Sequence, residues 1–180
     1  LAPNHFGTNA TGELPGGDFD PSRVLPHNMW SVGAAQVFSE VSPEMHEEFA
    51  IDHEIRWYSR FGLNYYGCCE PLHKKVKVVG KIPNLRKISM SPWINLEEGA
   101  SNIGTDYVFS RKPNPAVFAG NHWNLDNARN ELTECLEVTQ RHGCPVELIM
   151  KDISTVGHQP QRLWEWAEMA ARLVEEPVHA

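Results

Sequence analysis

Two adjacent cysteines followed by a glutamate, Cys68-Cys69-Glu70, are the sharpest chemical cluster in this chain. Two thiolates and a carboxylate suit a metal ion, with His158 or Asp152 from further along the chain completing the set. Zinc accepts sulfur, nitrogen and carboxylate ligands, and a catalytic site needs only three from protein. A substrate thiol bound to that zinc is held as thiolate, the form that accepts a methyl group. The same cysteines also suit packing, one in the core and one lining a pocket, because free cysteine is often a small buried hydrophobe.

Other polar groups stand where strands are expected to end. Lys151 and Asp152 close an otherwise apolar stretch, a place where charges need partners or a purpose. Asp152 could orient a ligand, act as a general base or bind metal; an ion pair with a neighbouring base is the alternative. Ser110 and Lys112 could hold a carboxylate or phosphate, and a structural lysine at a strand end competes with that reading. Tyr66 and Ser91 join them as candidate substrate contacts. His46 and His53, seven residues apart on one helix, read better as packing histidines than as ligands. No nucleophile elbow, Walker loop or dinucleotide glycine motif occurs.

Positioning these groups requires a regular frame. Strands are expected over residues 63–69, 86–93, 106–112 and 146–152, each followed by a helical stretch: 71–79, 96–103, a helix capped by Asn124, and one starting near Pro160. Ahead of them, Ser42-Pro43-Glu44 opens a helix with a capping serine, proline at the first helical position and acids at the positive dipole end. Its apolar side is expected to carry Phe49, Ala50, Trp57 and Phe61. Residues 30–41 are expected to be helical. Residues 1–29 read as a loop-rich arm, with Pro15-Gly16-Gly17-Asp18 as a turn signal, and residues 30–180 as the folded domain.

Alternating strands and helices imply right-handed crossovers and a parallel α/β sheet, with chemistry at the C-terminal strand ends. Four such units fit either a doubly wound open sheet or half of an eight-stranded barrel. Buried strands of an open sheet are nearly continuous in apolar residues. Here polar residues alternate instead: Asn64, Tyr66, Cys68 and Glu70, then Ser89 and Ser91, then Ser110 and Lys112. That pattern favours a half barrel. Its two open strand edges call for a homodimer or an N-terminal half as partner.

Composition narrows the partners. The chain has 180 residues, 41% hydrophobic and 22% charged, with a net charge of −7. An acidic chain is a poor match for nucleic acid, whose phosphates need a basic surface. No apolar run is long enough to span a membrane. The spacing of Cys68, Cys69, Cys135 and Cys144 is neither a zinc finger nor a disulfide scaffold, and free thiols suit a reducing cytoplasm. Leu1 in place of an initiator methionine suggests a processed or truncated chain.

The runs Gly62-Leu63-Asn64-Tyr65-Tyr66-Gly67-Cys68-Cys69-Glu70-Pro71-Leu72, Arg86-Lys87-Ile88-Ser89-Met90-Ser91-Pro92-Trp93, Asp106-Tyr107-Val108-Phe109-Ser110-Arg111-Lys112-Pro113-Asn114-Pro115 and Lys151-Asp152-Ile153-Ser154-Thr155 occur in this order. Together they resemble the C-terminal half of the uroporphyrinogen decarboxylase superfamily, which includes zinc-dependent, corrinoid-linked methyltransferases. The resemblance implies strands five to eight of a TIM barrel. It also implies a small-molecule substrate, with zinc as cofactor and a corrinoid, or a corrinoid protein, as partner. In the methyltransferase branch a His-x-Cys pair after strand five and a cysteine after strand eight bind zinc. Here Tyr66-Gly67-Cys68 fills the first position, and Ser154, Thr155 and His158 lie near the second, so Cys68 alone matches. Methyl transfer to a corrinoid or thiol, tetrapyrrole decarboxylation, and non-catalytic binding of a small anion are the readings that follow. The first would use Glu70 and Asp152 as catalytic groups and Cys68, Cys69 and His158 as metal ligands.

Overall fold

The computed structural model describes residues 11–175. Its frame is a five-stranded, all-parallel sheet in the order β1 (Trp30–Gly33), β2 (Leu63–Tyr66), β3 (Leu85–Met90), β4 (Val108–Arg111) and β5 (Val146–Leu148). The four expected strands are present but shorter. A fifth, β1, replaces the helix expected at residues 30–41. Trp30-Ser31-Val32-Gly33 pairs with Leu63-Asn64-Tyr65-Tyr66, and only a short 3-10 turn, Gln36–Phe38, follows. Aromatic and β-branched residues favour a strand here. Gly33 lets it lie against the Tyr58 ring: a Cβ there would sit 1.7 Å from the Tyr58 hydroxyl.

The strand order never reverses. Right-handed crossovers between strands taken in sequence put every connection on the same face of the sheet. The helices obey this: α3 (Val76–Val79), α4 (Leu96–Ile103), α5 (Leu125–Arg141) and α6 (Gln161–Glu175) each pack on the next. Asn95 and Asn124 cap α4 and α5 by accepting the N–H groups of Glu98 and Asn127. Only the last turn of the helix expected over 71–79 forms, as α3; the preceding residues are turns.

Between β1 and β2 runs one helix of uneven pitch, α1 (Pro43–His46), a π turn over Glu47–Ile51, and α2 (Asp52–Tyr58). Ser42 caps it through the Met45 N–H. The wider turn rotates the rest of the helix, so the expected apolar side is wrong in part. Ala50, Ile51 and Tyr58 face inward, whereas Phe49 and Trp57 are half exposed. His46 is buried and His53 exposed, so the two histidines do not share a side.

The main core lies between the sheet and this helical layer. Tyr66, Ile88, Met90 and Phe109 from the strands meet Ile51, Tyr58, Leu72, Val79 and Ile103. A second cluster, Phe118, Leu132, Trp166 and Met169, joins α5 to α6. The opposite face of the sheet is polar and also buried: Tyr65, Lys87, Ser89, Ser110 and Lys112. Side chains two strands apart brace it. Tyr65 on β2 reaches Ser110 on β4 at 3.1 Å, and Lys87 on β3 reaches Glu147 on β5 at 2.6 Å.

Among the described residues, no helix is long and apolar enough to cross a membrane. Between Thr11 and β1 the chain is mostly turns, with a 3-10 turn at Pro26–Asn28.

Candidate functional site

A cavity of about 400 Å³ opens at the C-terminal ends of β2 to β5. Each strand contributes to it through the residues that follow: Cys68 and Cys69 after β2, Trp93 after β3, Lys112 to Ala116 after β4, and Lys151 and Asp152 after β5. Its size is within the range of small-molecule sites, and so is its mixture of an apolar wall with a few convergent polar groups. The wall is rigid in sequence terms, with Pro92, Pro113 and Pro115 fixing the loop entries. Arg162 of α6, wholly buried, donates to the carbonyls of Phe118 and Gly120 and so anchors the loop carrying Ala116 and Ala119.

Gly67 sets the direction of the cysteines. Its φ is +99°, and a Cβ there would press within 2.4 Å of Leu72 and 2.9 Å of Ser89. Such a backbone is a glycine conformation. It ends the strand alternation, so Tyr66 and Cys68 do not share a side. Tyr66 turns into the helical layer, where its hydroxyl bonds His46 at 2.8 Å. Tyr66 thus stands apart from the cavity as a core residue. Its neighbour Tyr65 takes the polar face instead.

At the cavity wall, the Lys151 ammonium lies 3.0 Å from both the Cys68 and Cys69 sulfurs and 2.6 Å from Asp152. The two sulfurs are 3.6 Å apart, and the Cys69 thiol is 3.3 Å from Asp152. Burial works against the Lys151 charge, but the bonds to Asp152 and both sulfurs outweigh it and hold its pKa above the ordinary lysine value. Burial pushes the Cys69 thiol up, with Lys151 opposing.

Zinc does not fit this arrangement. The ammonium of Lys151 already fills the position between two sulfurs and a carboxylate that a cation would take. Among the described residues, no three His, Cys, Asp or Glu side chains form a group able to hold a metal ion. His158, with φ +61°, is exposed and outside the cavity lining. Glu70 is also elsewhere. It is buried behind the wall, where one carboxylate oxygen accepts the Cys68 N–H at 2.8 Å. It shapes the cysteine loop rather than facing the cavity.

Lys112 is the second unusual group. Its side chain is 1% exposed, borders the cavity, and donates to the hydroxyls of Tyr65 and Ser110. Burial brings its pKa down to about 7, with Glu147 partly countering the effect. A lysine held near neutrality can exchange a proton at physiological pH. Ser110 contributes as a partner of Lys112. Ser91 is buried beneath the loop, where its hydroxyl accepts the Trp93 N–H at 3.4 Å and its carbonyl accepts from Arg111.

Of the groups expected at the site, Cys68, Cys69, Asp152 and Lys112 line the cavity, Ser110 bonds Lys112 without lining it, and Tyr66, Glu70, Ser91 and His158 are outside the lining. Two residues outside the expected catalytic, substrate and metal sets matter as much. Lys151 organises the thiols, and its signal was a second charge beside Asp152. Tyr65 supports Lys112, and only the break in alternation at Gly67 would have revealed it.

No family model matches the chain, and no curated protein or solved structure matches it either.

Proposed function

We propose that this chain is a uroporphyrinogen decarboxylase-like half barrel whose cavity binds a small carboxylate-bearing molecule, and that its chemistry is metal-free proton transfer of the decarboxylation type, with Lys112 as proton carrier. The carrying observation is the setting of Lys112: a buried amine on the cavity wall, bonded among the described residues to two hydroxyls rather than to a carboxylate. An incoming carboxylate supplies a counter-charge in direct contact with the amine. The sequential strand order supports the half barrel, because a closed parallel barrel is built in that order.

In such a reaction the bond from carbon to the leaving carboxylate breaks and its electron pair stays on carbon. The Lys112 ammonium gives that carbon a proton and recovers one from solvent. An amine with a pKa near the working pH serves this exchange best. Lys151 and Asp152 fix the opposite wall, and the open edges of β1 and β5 are where an N-terminal half barrel or a second copy would pair.

The test is binding and turnover with the purified protein and a panel of small di- and tricarboxylates, following carbon dioxide release and ligand-induced thermal shift. Wild type should bind at least one member, and Lys112→Met should weaken that binding at least tenfold and abolish release. No binding across the panel, or equal binding by Lys112→Met, sinks the reading. Stoichiometric zinc that disappears in Cys68→Ser would instead favour methyl transfer to a corrinoid or thiol.

A further inference from the structure

We propose that Cys68 and Cys69 are a reversible redox pair, which hydrogen peroxide closes into a disulfide between adjacent residues at the mouth of the cavity. Three observations converge on this. The sulfurs are already 3.6 Å apart and point to one place, although adjacent strand residues would point to opposite faces. Lys151 stands 3.0 Å from each, so a negative charge on whichever sulfur ionises is met by an ammonium. Both cysteines line an open cavity, so a small oxidant has a route to them.

The chain holds its own contrast. Cys135 is fully buried in the core, and burial pushes its thiol up to about 12. Cys144 is buried too, and its thiol donates to the Ala100 carbonyl. Neither has a basic hydrogen-bond partner among the described residues comparable to Lys151.

The reaction balances without any further reagent. One sulfur, as thiolate, attacks a peroxide oxygen; the O–O bond breaks and hydroxide leaves, taking a proton to become water. The sulfur is now a sulfenic acid. The second thiol attacks it, the S–O bond breaks, the S–S bond forms, and a second water departs with the remaining proton. Two thiols and one peroxide give one disulfide and two waters, the two electrons passing from sulfur to oxygen.

Neighbouring residues make an awkward disulfide. Their Cα atoms are about 3.8 Å apart, below the roughly 4.4–6.8 Å that an ordinary bridge spans. Strained disulfides have higher potentials and are the labile, regulatory kind. The closed form is therefore easily reduced. Closure also withdraws both sulfurs as charge partners of Lys151 and leaves its ammonium to Asp152 and to any anion in the cavity. The proposal stands whether or not the chain is a decarboxylase.

The experiment is peroxide titration of the intact, reduced chain, followed by alkylation, trypsin and mass spectrometry of the peptide spanning residues 61–74. Expected is a peptide lighter by two hydrogens, restored by dithiothreitol, while Cys135 and Cys144 remain alkylatable. Lys151→Gln should slow the change roughly tenfold, since the thiolate loses its cation. A lasting sulfenic acid trapped by dimedone, a disulfide between two chains, or oxidation of Cys135 before this pair overturns the proposal. So does an unchanged rate in Lys151→Gln.

Discussion

Tyr65 on β2 and Ser110 on β4 share a hydrogen bond of 3.1 Å over the intervening strand β3. Strands two apart are separated by about 9.5 Å at the backbone. The tyrosine therefore leans across Ser89 to complete a polar layer in which Lys112 is held by both hydroxyls. That layer places a base near neutrality beside the cavity.

Lys112 makes stability depend on alkaline pH. Its folded pKa is about 7, below the ordinary value of 10.5, because burial disfavours the charge. Between those two values the unfolded chain binds more protons than the folded one, so stability rises as pH increases from about 7 to 10.5. The gain should be a few kcal/mol at most. Chemical denaturation across this range should show the rise in wild type, and Lys112→Met should flatten it. Equal slopes for both proteins would falsify the assignment.

His46 works in the same sense at acid pH. Burial, and then the Lys75 ammonium 3.3 Å from Nδ1, bring its pKa down from 6.5 to about 4. Tyr66 faces its other nitrogen. The unfolded chain again binds the extra proton, now between pH 6.5 and 4, so stability falls as the pH drops through that interval. His46→Gln should lower stability near neutrality, where the ring packs against Tyr66 and Phe38, and should shallow the loss on acidification. A wild-type curve that is flat from pH 6.5 to 4 would contradict this.

The conformation at Gly67 can be tested by one methyl group. Gly67→Ala introduces a Cβ into Leu72 and Ser89 at a backbone angle that L-residues rarely adopt. A loss of at least about 2 kcal/mol is expected from the two effects together. Thermal unfolding measures it; a variant as stable as wild type would show that the turn after β2 is not the one described.

The strand–helix order, the cap at Asn124 and the C-terminal placement of Cys68, Lys112 and Asp152 were all readable from residue types and spacing, because each depends on local chemistry. Three things were not. The four residues of β1 are too short for alternation to outweigh the apolar, helix-like run around them, and the parallel partner Leu63–Tyr66 decides their state. The inward face of the helix after Ser42 depends on a π turn that no spacing rule anticipates. Which of Tyr65 and Tyr66 faces the polar layer depends on where alternation stops, and only the positive φ of Gly67 settles that. The place of Lys151 was not legible either: spacing offered Cys68, Cys69 and His158 as a ligand set and gave no sign that the Lys151 ammonium stands beside both sulfurs.

The wide turn at Glu47–Ile51 gives the first helix a phase as well as a sequence. Each residue advances an α-helix by about 100°, and a π turn takes up one residue beyond that spacing, so it sets which later residues share a side with His46. That phase brings both His46 and Tyr58 against the ring of Tyr66. The number of residues in this stretch, as well as their types, therefore decides which side chains reach the core.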